Sequence, residues 1–313
     1  MSIVKTQAFF PSTDNINNIH VLIWKDTEKE PWAMLQIAPG LTDHIGRYER
    51  FAHFMAGNGI IVFGNDHIGH GHTAKSQSDL GNFGEPDADI RMVDDIHKLH
   101  NIMKNKYPTL PFYMLGHSMG SFLSKIYAAN FGSDISGLIL TGTTQVNSRL
   151  SVLKDYFYPF GDMIGKDNCS TKGSDLLKLL VSKYFKEDDD NSWLSASVTN
   201  RTKADSDPYF DYPITNASAM IVAKLLVKSS SDECYANIPY TLPVFLISGG
   251  KDPVGMFGRG VLDACCKFEE YGISTDMKLY PGLRHEILNE DDYQGIYQDI
   301  LDWLTKTLKG DYQ

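Results

Sequence analysis

The chain has 313 residues, an apolar fraction of 42% and a formal net charge of −10. These values indicate a globular protein of one large domain or two, and an acidic chain without a basic stripe is not expected to bind nucleic acid or to dock electrostatically on anionic lipid. No apolar run is long enough to span a bilayer, and the first residues lack the charged and apolar regions of a signal peptide. We therefore expect a cytoplasmic protein.

The first half of the chain alternates predicted strands and helices. Residues 3–10 and 20–25 predict an antiparallel pair around a polar turn. The elements predicted after this pair cover residues 33–38, 47–57, 60–64, 89–107, 111–115 and 135–141. In the long helix, the residues that recur at helical spacing and are expected to face the core are Ile90, Val93, Ile96 and Ile102. Strands that alternate with helices are typical of a doubly wound, mostly parallel sheet.

From about residue 145 to residue 231 this alternation stops. The stretch has helical periodicity and no clear buried strand, so it predicts a helical cap over the carboxyl edge of the sheet. The predicted domains are a core of residues 1–144 and 232–313 and a cap of residues 145–231. Most apolar cap residues are expected to pack cap against core. The cap residues expected to line an acyl pocket are Tyr156, Phe157, Phe160 and Leu177.

The sheet resumes with a predicted strand over residues 243–248, then a helix over residues 257–271 and a short strand over residues 276–280. A last helix is predicted over residues 293–308. Its apolar face is expected to contain Ile296, Ile300, Leu301, Leu304 and Leu308.

The four cysteines have no spacing typical of a metal site; they are Cys169, Cys234, Cys265 and Cys266. Cys265 and Cys266 are adjacent within the helix predicted over residues 257–271. We therefore expect buried, reduced thiols there.

The most informative motif is Gly-His-Ser-Met-Gly at residues 116–120, between a predicted strand and a predicted helix. Gly-x-Ser-x-Gly in this context predicts a nucleophile elbow, a turn so tight that only residues without bulk fit beside the serine. Ser118 is then exposed at the carboxyl end of its strand, where ligands bind in open α/β sheets. We therefore predict Ser118 as a nucleophile.

A serine hydroxyl needs an adjacent base, and a histidine held by a carboxylate fits that role. Asp252 and His285 each follow a predicted strand, on the sheet edge that carries Ser118. The oxyanion of an acyl-transfer reaction needs two backbone N–H donors. Met119, which begins a helix, and Leu41, in the loop after the strand of residues 33–38, are the predicted donors.

Five stretches of the chain resemble the monoacylglycerol lipase and lysophospholipase branch of the α/β hydrolases, a superfamily that includes serine aminopeptidases of the S33 type. They are residues 43–48, 66–71, 115–120, 249–254 and 281–286, and the resemblance extends from about residue 30 to the C-terminus. The resemblance implies an α/β-hydrolase fold, a mostly parallel doubly wound sheet with a helical cap insertion. It also implies the triad Ser118, Asp252 and His285.

The chain departs from the family pattern at Pro39, where the family usually has a histidine before the glycine. Proline lacks an N–H, but the predicted donor on Leu41 lies two residues on. In the family, the motif at residues 66–71 shapes a loop. We therefore do not expect His67, His70 and His72 to bind a metal.

The predicted reaction is acyl transfer to water through an acyl-enzyme on Ser118, without a cofactor. The resemblance implies a small-molecule partner, a carboxylic ester of a lipid-like alcohol such as a monoacylglycerol or a lysophospholipid, with transient contact to lipid aggregates. A small-peptide or amide hydrolase and a short-chain carboxylesterase are the alternative enzymes. A non-enzymatic binding protein of the same fold is a further alternative, but such proteins usually lack a member of the triad.

Overall fold

A computed structural model describes residues 2–84, 86–146, 183–185 and 191–310. Its centre is an eight-stranded sheet with the strand order β1-β2-β4-β3-β5-β6-β7-β8. The strands are β1 (Ile3–Pro11), β2 (Asn18–Asp26), β3 (Ala33–Ala38), β4 (Ile60–Asn65), β5 (Phe112–His117), β6 (Gly137–Thr141), β7 (Val244–Gly249) and β8 (Thr275–Tyr280).

Strand direction separates the first two strands from the rest of the sheet. β1 pairs antiparallel with β2, and β2 antiparallel with β4, whereas β3 to β8 are mutually parallel. The central strands read as continuous apolar runs because helices cover both faces. Parallel register brings their carboxyl ends to one edge, where Ala38 lies opposite Gly116 and His117 lies opposite Thr141. The predicted doubly wound, mostly parallel sheet is confirmed.

Helices cover both faces of the sheet. The helices are α1 (Glu49–Gly57), α2 (Ala88–Lys106), α3 (Met119–Phe131), α4 (Val198–Asp205), α5 (Asn216–Ser229), α6 (Asp232–Asn237), α7 (Arg259–Glu270) and α8 (Tyr293–Leu308). α1 and α8 share one hydrophobic cluster with one face of the sheet. α2, α3, α5, α6 and α7 share a second cluster with the other face.

The buried face of α2 differs from the predicted one. Val93 and Ile96 are buried as expected, but Ile90 and Ile102 are 46% and 44% exposed. Their prediction as core residues is wrong because the buried stripe is offset by part of a turn. Its apolar residues are Ala88, Met92, Val93, Ile96, Leu99 and Met103.

Smaller differences concern α7 and α8. Cys265 is buried on α7, but its neighbour Cys266 is exposed, because adjacent helical residues face directions about 100° apart. The expectation of two buried thiols is therefore wrong for Cys266. On α8, Leu308 is exposed at the end of the helix, and Trp303 occupies the buried face beside Leu304. Cys169 lies outside the described residues.

The described residues between β6 and β7 form helices and loops, and α5 packs against α3 and α2. Ile221, Val222 and Leu225 of α5 join the hydrophobic cluster of the sheet face. The predicted pocket residues Tyr156, Phe157, Phe160 and Leu177 lie outside the described residues. In the described part of the chain, no helix is both long enough and apolar enough to cross a membrane.

Candidate active site

Ser118 occupies a tight turn between β5 and α3, with φ of 53° and ψ of −121°. Positive φ is uncommon for a residue other than glycine and is characteristic of a strained elbow. A Cβ on Gly116 would collide with the carbonyl oxygen of Gly120, and a Cβ on Gly120 would collide with that of Ala38. Both glycines are therefore required for β3, β5 and α3 to approach one another behind Ser118.

His285 and Asp252 meet at the same edge of the sheet. Asp252 lies in the loop after β7 and His285 in the loop after β8, and both side chains are buried. The His285 Nδ1–H donates to Asp252 Oδ2 over 3.0 Å. Asp252 also accepts hydrogen bonds from the Ser248 hydroxyl at 3.2 Å and from the Val254 N–H at 2.8 Å. These contacts hold the imidazole in one orientation and one tautomer, with Nε2 available as an acceptor.

Burial and charge act in opposite directions on both groups. Burial alone would raise the pKa of Asp252, but the charge and the hydrogen bond of His285 hold that pKa below its usual range. Burial alone would lower the pKa of His285, but the negative charge of Asp252 and their hydrogen bond raise it above its ordinary value. The arrangement stabilises an imidazolium beside a carboxylate, which is what a general base needs after it accepts a proton.

The loop after β3 packs directly on the elbow. A Cβ on Gly40 would lie 3.2 Å from the Cβ of Ser118. The predicted donors Leu41 and Met119 both line the cavity that contains Ser118. Neither backbone N–H has a hydrogen-bond partner among the described residues, so both can donate to an oxyanion.

Pro39 is fixed through its carbonyl group. The His67 Nε2–H donates to the Pro39 carbonyl oxygen over 3.2 Å, and His70 Nδ1–H donates to the Ile68 carbonyl over 2.9 Å. Burial lowers the pKa of His67 to about 3 and that of His70 to about 4, so both rings are neutral near pH 7. Within the described residues no group of histidine, cysteine, aspartate and glutamate could hold a metal ion.

A buried ion-pair network that the sequence reasoning missed ties the loop after β3 to the loop of His285. Arg47 donates to Glu286 through both terminal nitrogens, at 2.5 and 2.7 Å, and to Asp43 at 3.1 Å. The Tyr48 hydroxyl donates to Asp43 over 2.8 Å. Despite burial, the Arg47 guanidinium holds the pKa values of Asp43 and Glu286 below their usual range. The sequence signal for this network was the stretch of residues 43–48, which resembles a motif of the family. The motif alone does not show that Arg47 pairs with Glu286.

The chain between α4 and α5 covers this loop. The His44 Nε2–H donates to Asp207 Oδ2 over 2.8 Å, and the Arg47 guanidinium lies 3.7 Å from the centre of the Phe210 ring. The Asp211 N–H donates to the Thr42 carbonyl over 3.1 Å. The segment of residues 207–214 therefore forms one wall of the site.

Ser118 and His285 line one cavity of about 410 Å³. This volume is within the range of small-molecule sites. Its apolar lining residues include Leu41, Met119, Phe122, Ile214, Val222, Leu226 and Val254. Its polar lining residues, besides Ser118 and His285, include Thr42, Asp43, Asn191, Asp211 and Glu286. Among the described residues that line the cavity there are three carboxylates and no lysine or arginine.

Two further rings contact the imidazole of His285. The His117 ring centre lies 4.7 Å from that of His285, and the Trp193 ring centre lies 5.2 Å from it. Burial lowers the pKa of His117 to about 4, so this ring stays neutral beside an imidazolium. His285 is buried, and both rings pack against it.

The chain matches a family model described as "Serine aminopeptidase, S33" over residues 29–292. It belongs to this family. The family's α/β-hydrolase fold agrees with the observed sheet order and with the position of the elbow. The predicted resemblance to the α/β hydrolases of the monoacylglycerol lipase type is confirmed. The predicted class of enzyme, a carboxylic ester hydrolase, is confirmed as well.

Relatives that match most of the chain are lipases and an esterase. The chain is 25% identical over 309 residues to a monoacylglycerol lipase of Mycolicibacterium smegmatis, covering 98% of this chain and all of that one. It is 25% identical to a monoglyceride lipase of Mus musculus, covering 90% of this chain and 85% of that one. Among solved structures, a thermostable carboxyl esterase from Bacillus coagulans in complex with glycerol is 27% identical, with a TM-score of 0.89 over 97% of this chain and 99% of that one.

Proposed function

We propose that this hydrolase cleaves carboxylic esters of lipid-like substrates, monoacylglycerols above all, through an acyl-enzyme on Ser118. The observation that carries the proposal is one cavity lined by Ser118 at a strained elbow and by His285 bonded to Asp252. The similarity to lipases named for monoacylglycerols supports this substrate.

In the proposed mechanism, the oxygen of Ser118 attacks the ester carbonyl while His285 Nε2 accepts the serine proton. Asp252 stabilises the imidazolium, and the N–H groups of Leu41 and Met119 hold the oxyanion. The intermediate collapses, the C–O bond to the alcohol breaks, and the alcohol leaves with the proton from His285. Water, deprotonated by the same histidine, then releases the fatty acid and restores the serine hydroxyl.

The mixture of apolar and polar residues that line the cavity supports an acyl chain and a neutral alcohol as the two parts of the substrate. Apolar side chains such as Phe122, Ile214 and Leu226 line the cavity, and each methylene of a substrate buried against them stabilises the complex by about 0.8 kcal/mol. Asp43, Asp211 and Glu286 also line the cavity, and because Arg47 balances only part of their charge, an anionic phosphate would be repelled there. These charges favour a monoacylglycerol over a lysophospholipid.

The alternatives are tested on one substrate panel. A fluorophosphonate probe is expected to label the wild type and not Ser118→Ala, and monoacylglycerols are expected to have a higher kcat/KM than acetyl esters or aminoacyl amides. If aminoacyl amides or acetyl esters were preferred over every longer ester, the lipase function would be wrong and an aminopeptidase or a short-chain esterase would remain. A protein that neither labels nor hydrolyses would be a binding homologue.

The roles of the triad are tested by substitution. Ser118→Ala, His285→Ala and Asp252→Asn are each expected to lower kcat by roughly 10⁴-fold or more, and the double variant of Ser118 and His285 should be little worse than either single variant. Melting temperatures close to that of the wild type serve as the control for folding. If Asp252→Asn kept a turnover near that of the wild type, a carboxylate other than Asp252 would orient His285.

We further propose that the protein works in the cytoplasm, where reduced thiols such as the buried Cys234 and Cys265 persist. The division into a core of residues 1–144 and 232–313 and a cap of residues 145–231 stays a proposal. The helices α4 and α5 support a helical insertion. The packing of α5 on α2 and α3 favours counting that helix with the core.

A further inference from the structure

Trp193 carries a buried polar atom that the proposed mechanism does not use. Its side chain lines the cavity, and its indole Nε1 is buried with no hydrogen-bond partner among the described residues. Most buried polar groups in proteins are paired, because an unpaired one costs free energy. Among the described residues that line the cavity, only Thr144 has another such atom, a hydroxyl oxygen. A hydroxyl rotates to find a partner, whereas the indole N–H has one fixed direction and can only donate.

The loop that carries Trp193 is fastened to the chain around His285. The Glu286 N–H donates to the Leu194 carbonyl over 2.7 Å, and Arg284 donates to the carbonyl of the residue that precedes Trp193. The ring centres of Trp193 and His285 are 5.2 Å apart, with 38° between the ring planes. The indole is therefore held beside the imidazole before substrate binds, which reduces the entropy lost on binding.

The position of this donor indicates what it binds. His285 delivers its proton to the departing alcohol, so a donor beside the imidazole can reach the alcohol part of the substrate. An N–H group needs an acceptor, and a free hydroxyl of the alcohol supplies one, whereas an ammonium group or a hydrocarbon does not. The hydroxyl keeps a proton of its own to donate, and Asp43, Asp211 and Glu286 are carboxylate acceptors that also line the cavity.

We propose that Trp193 determines the preference of this hydrolase for esters of polyhydroxy alcohols, because its indole N–H donates to a free hydroxyl of the alcohol. The proposal rests on the proposed function, since it assigns the group that recognises the alcohol in the same cavity. An ester whose alcohol lacks this hydroxyl leaves the buried N–H unpaired, and a site of this kind discriminates against such an ester.

The test removes the N–H group and keeps an aromatic ring. Trp193→Phe is compared with the wild type on octanoylglycerol and on propyl octanoate, which has the same acyl group but no free hydroxyl. Both esters are used below the concentrations at which they aggregate. The ratio of kcat/KM for the glycerol ester to kcat/KM for the propyl ester should fall roughly tenfold in Trp193→Phe. The fall should come from a higher KM for the glycerol ester, because the bond forms when the substrate binds.

The matched control is Trp24→Phe. Trp24 lies on β2, and its indole nitrogen is also buried without a partner among the described residues, but Trp24 does not line the cavity. This substitution should leave the ratio of the two kcat/KM values unchanged. If Trp193→Phe lowered kcat/KM equally for both esters, the proposal would be overturned, because the indole would then contact the ester group itself or only support His285.

A binding measurement separates this proposal from the proposed function. Octylglycerol ether and octyl propyl ether cannot be hydrolysed, and their affinities are measured by titration calorimetry for Ser118→Ala and for Ser118→Ala/Trp193→Phe. The glycerol ether should bind roughly tenfold more weakly to the double variant, and the propyl ether should bind equally to both proteins. Equal affinities of both proteins for the glycerol ether would contradict the proposal. A wild type that cleaves no ester would instead refute the proposed function, and the ether affinities would still decide the role of Trp193.

Discussion

The imidazole of His285 is buried against the Asp252 carboxylate, and these two conditions act on its pKa in opposite directions. Charge and hydrogen bonding outweigh burial, so the pKa of His285 is raised. Among the described residues, no carboxylate forms a hydrogen bond with the neighbouring ring of His117, and burial lowers the pKa of this ring to about 4. Two imidazoles with centres 4.7 Å apart therefore titrate in separate pH ranges.

This separation predicts the acid side of the pH profile. The base must be neutral, so kcat/KM should rise as His285 loses its proton, with a midpoint above the ordinary histidine value of 6.5. The measurement is kcat/KM on a neutral soluble ester between about pH 4 and pH 9. Asp252→Asn removes the charge that raises this pKa, so its residual activity should have a lower midpoint. A wild-type midpoint near that of His117 would exclude His285 as the base.

At the scale of elements, the cavity depends on a helix whose sequence gives little indication of a site. α5 buries Ile221 and Leu225 against the core, while Val222 and Leu226, one helical turn apart, line the cavity. Spacing of four residues places both on one face of the helix. α5 therefore packs in the hydrophobic cluster and also contributes Val222 and Leu226 to the lining of the cavity.

Filling this side should shorten the acyl chains that the enzyme accepts. Val222→Phe adds bulk to the apolar wall, so kcat/KM for a long-chain monoacylglycerol should fall at least about tenfold, the loss of roughly two buried methylenes, while an acetyl ester is cleaved as before. The control is Val227→Phe, on the same helix but not lining the cavity. If kcat/KM fell equally for every acyl chain length, the acyl group would bind elsewhere in the protein.

Local signals explain which elements the sequence predicted. The elbow glycines and the apolar runs of β3 to β7 are contiguous patterns, and the loops after β7 and β8 follow from strand order. The pair of Arg47 and Glu286 spans 239 positions of the chain and has no local signature. The offset of the buried stripe on α2 also depends on tertiary packing, because a helical repeat alone leaves the rotation of the stripe open. The pocket-lining residues of α5 were missed because the same spacing describes an ordinary core face.

At the scale of the whole molecule, both the net charge of the chain and the carboxylates that line the cavity are negative. The chain has a formal net charge of −10, and Asp43, Asp211 and Glu286 line the cavity. Arg47 balances part of this charge through its bonds to Asp43 and Glu286. The carboxylates at the cavity and the net charge of the chain both repel an anionic substrate. The two effects differ in the distance over which they act and in how strongly salt screens them.

Asp211→Asn separates these two contributions. It removes one negative charge at the cavity wall with little change in shape, so kcat/KM for a lysophosphatidate should rise several-fold relative to the monoacylglycerol of the same acyl chain. Asp134→Asn removes the same charge in the exposed turn before β6, at the opposite edge of the sheet. This control should change the ratio of the two kcat/KM values little.

Added salt should narrow the difference in kcat/KM between the two substrates in the wild type, because the Debye length falls from about 10 Å at 0.1 M to about 3 Å at 1 M. If Asp211→Asn and Asp134→Asn had equal effects, the selectivity would come from the overall charge and not from the cavity wall. If the wild type preferred the lysophosphatidate, a neutral alcohol would be excluded as the preferred leaving group.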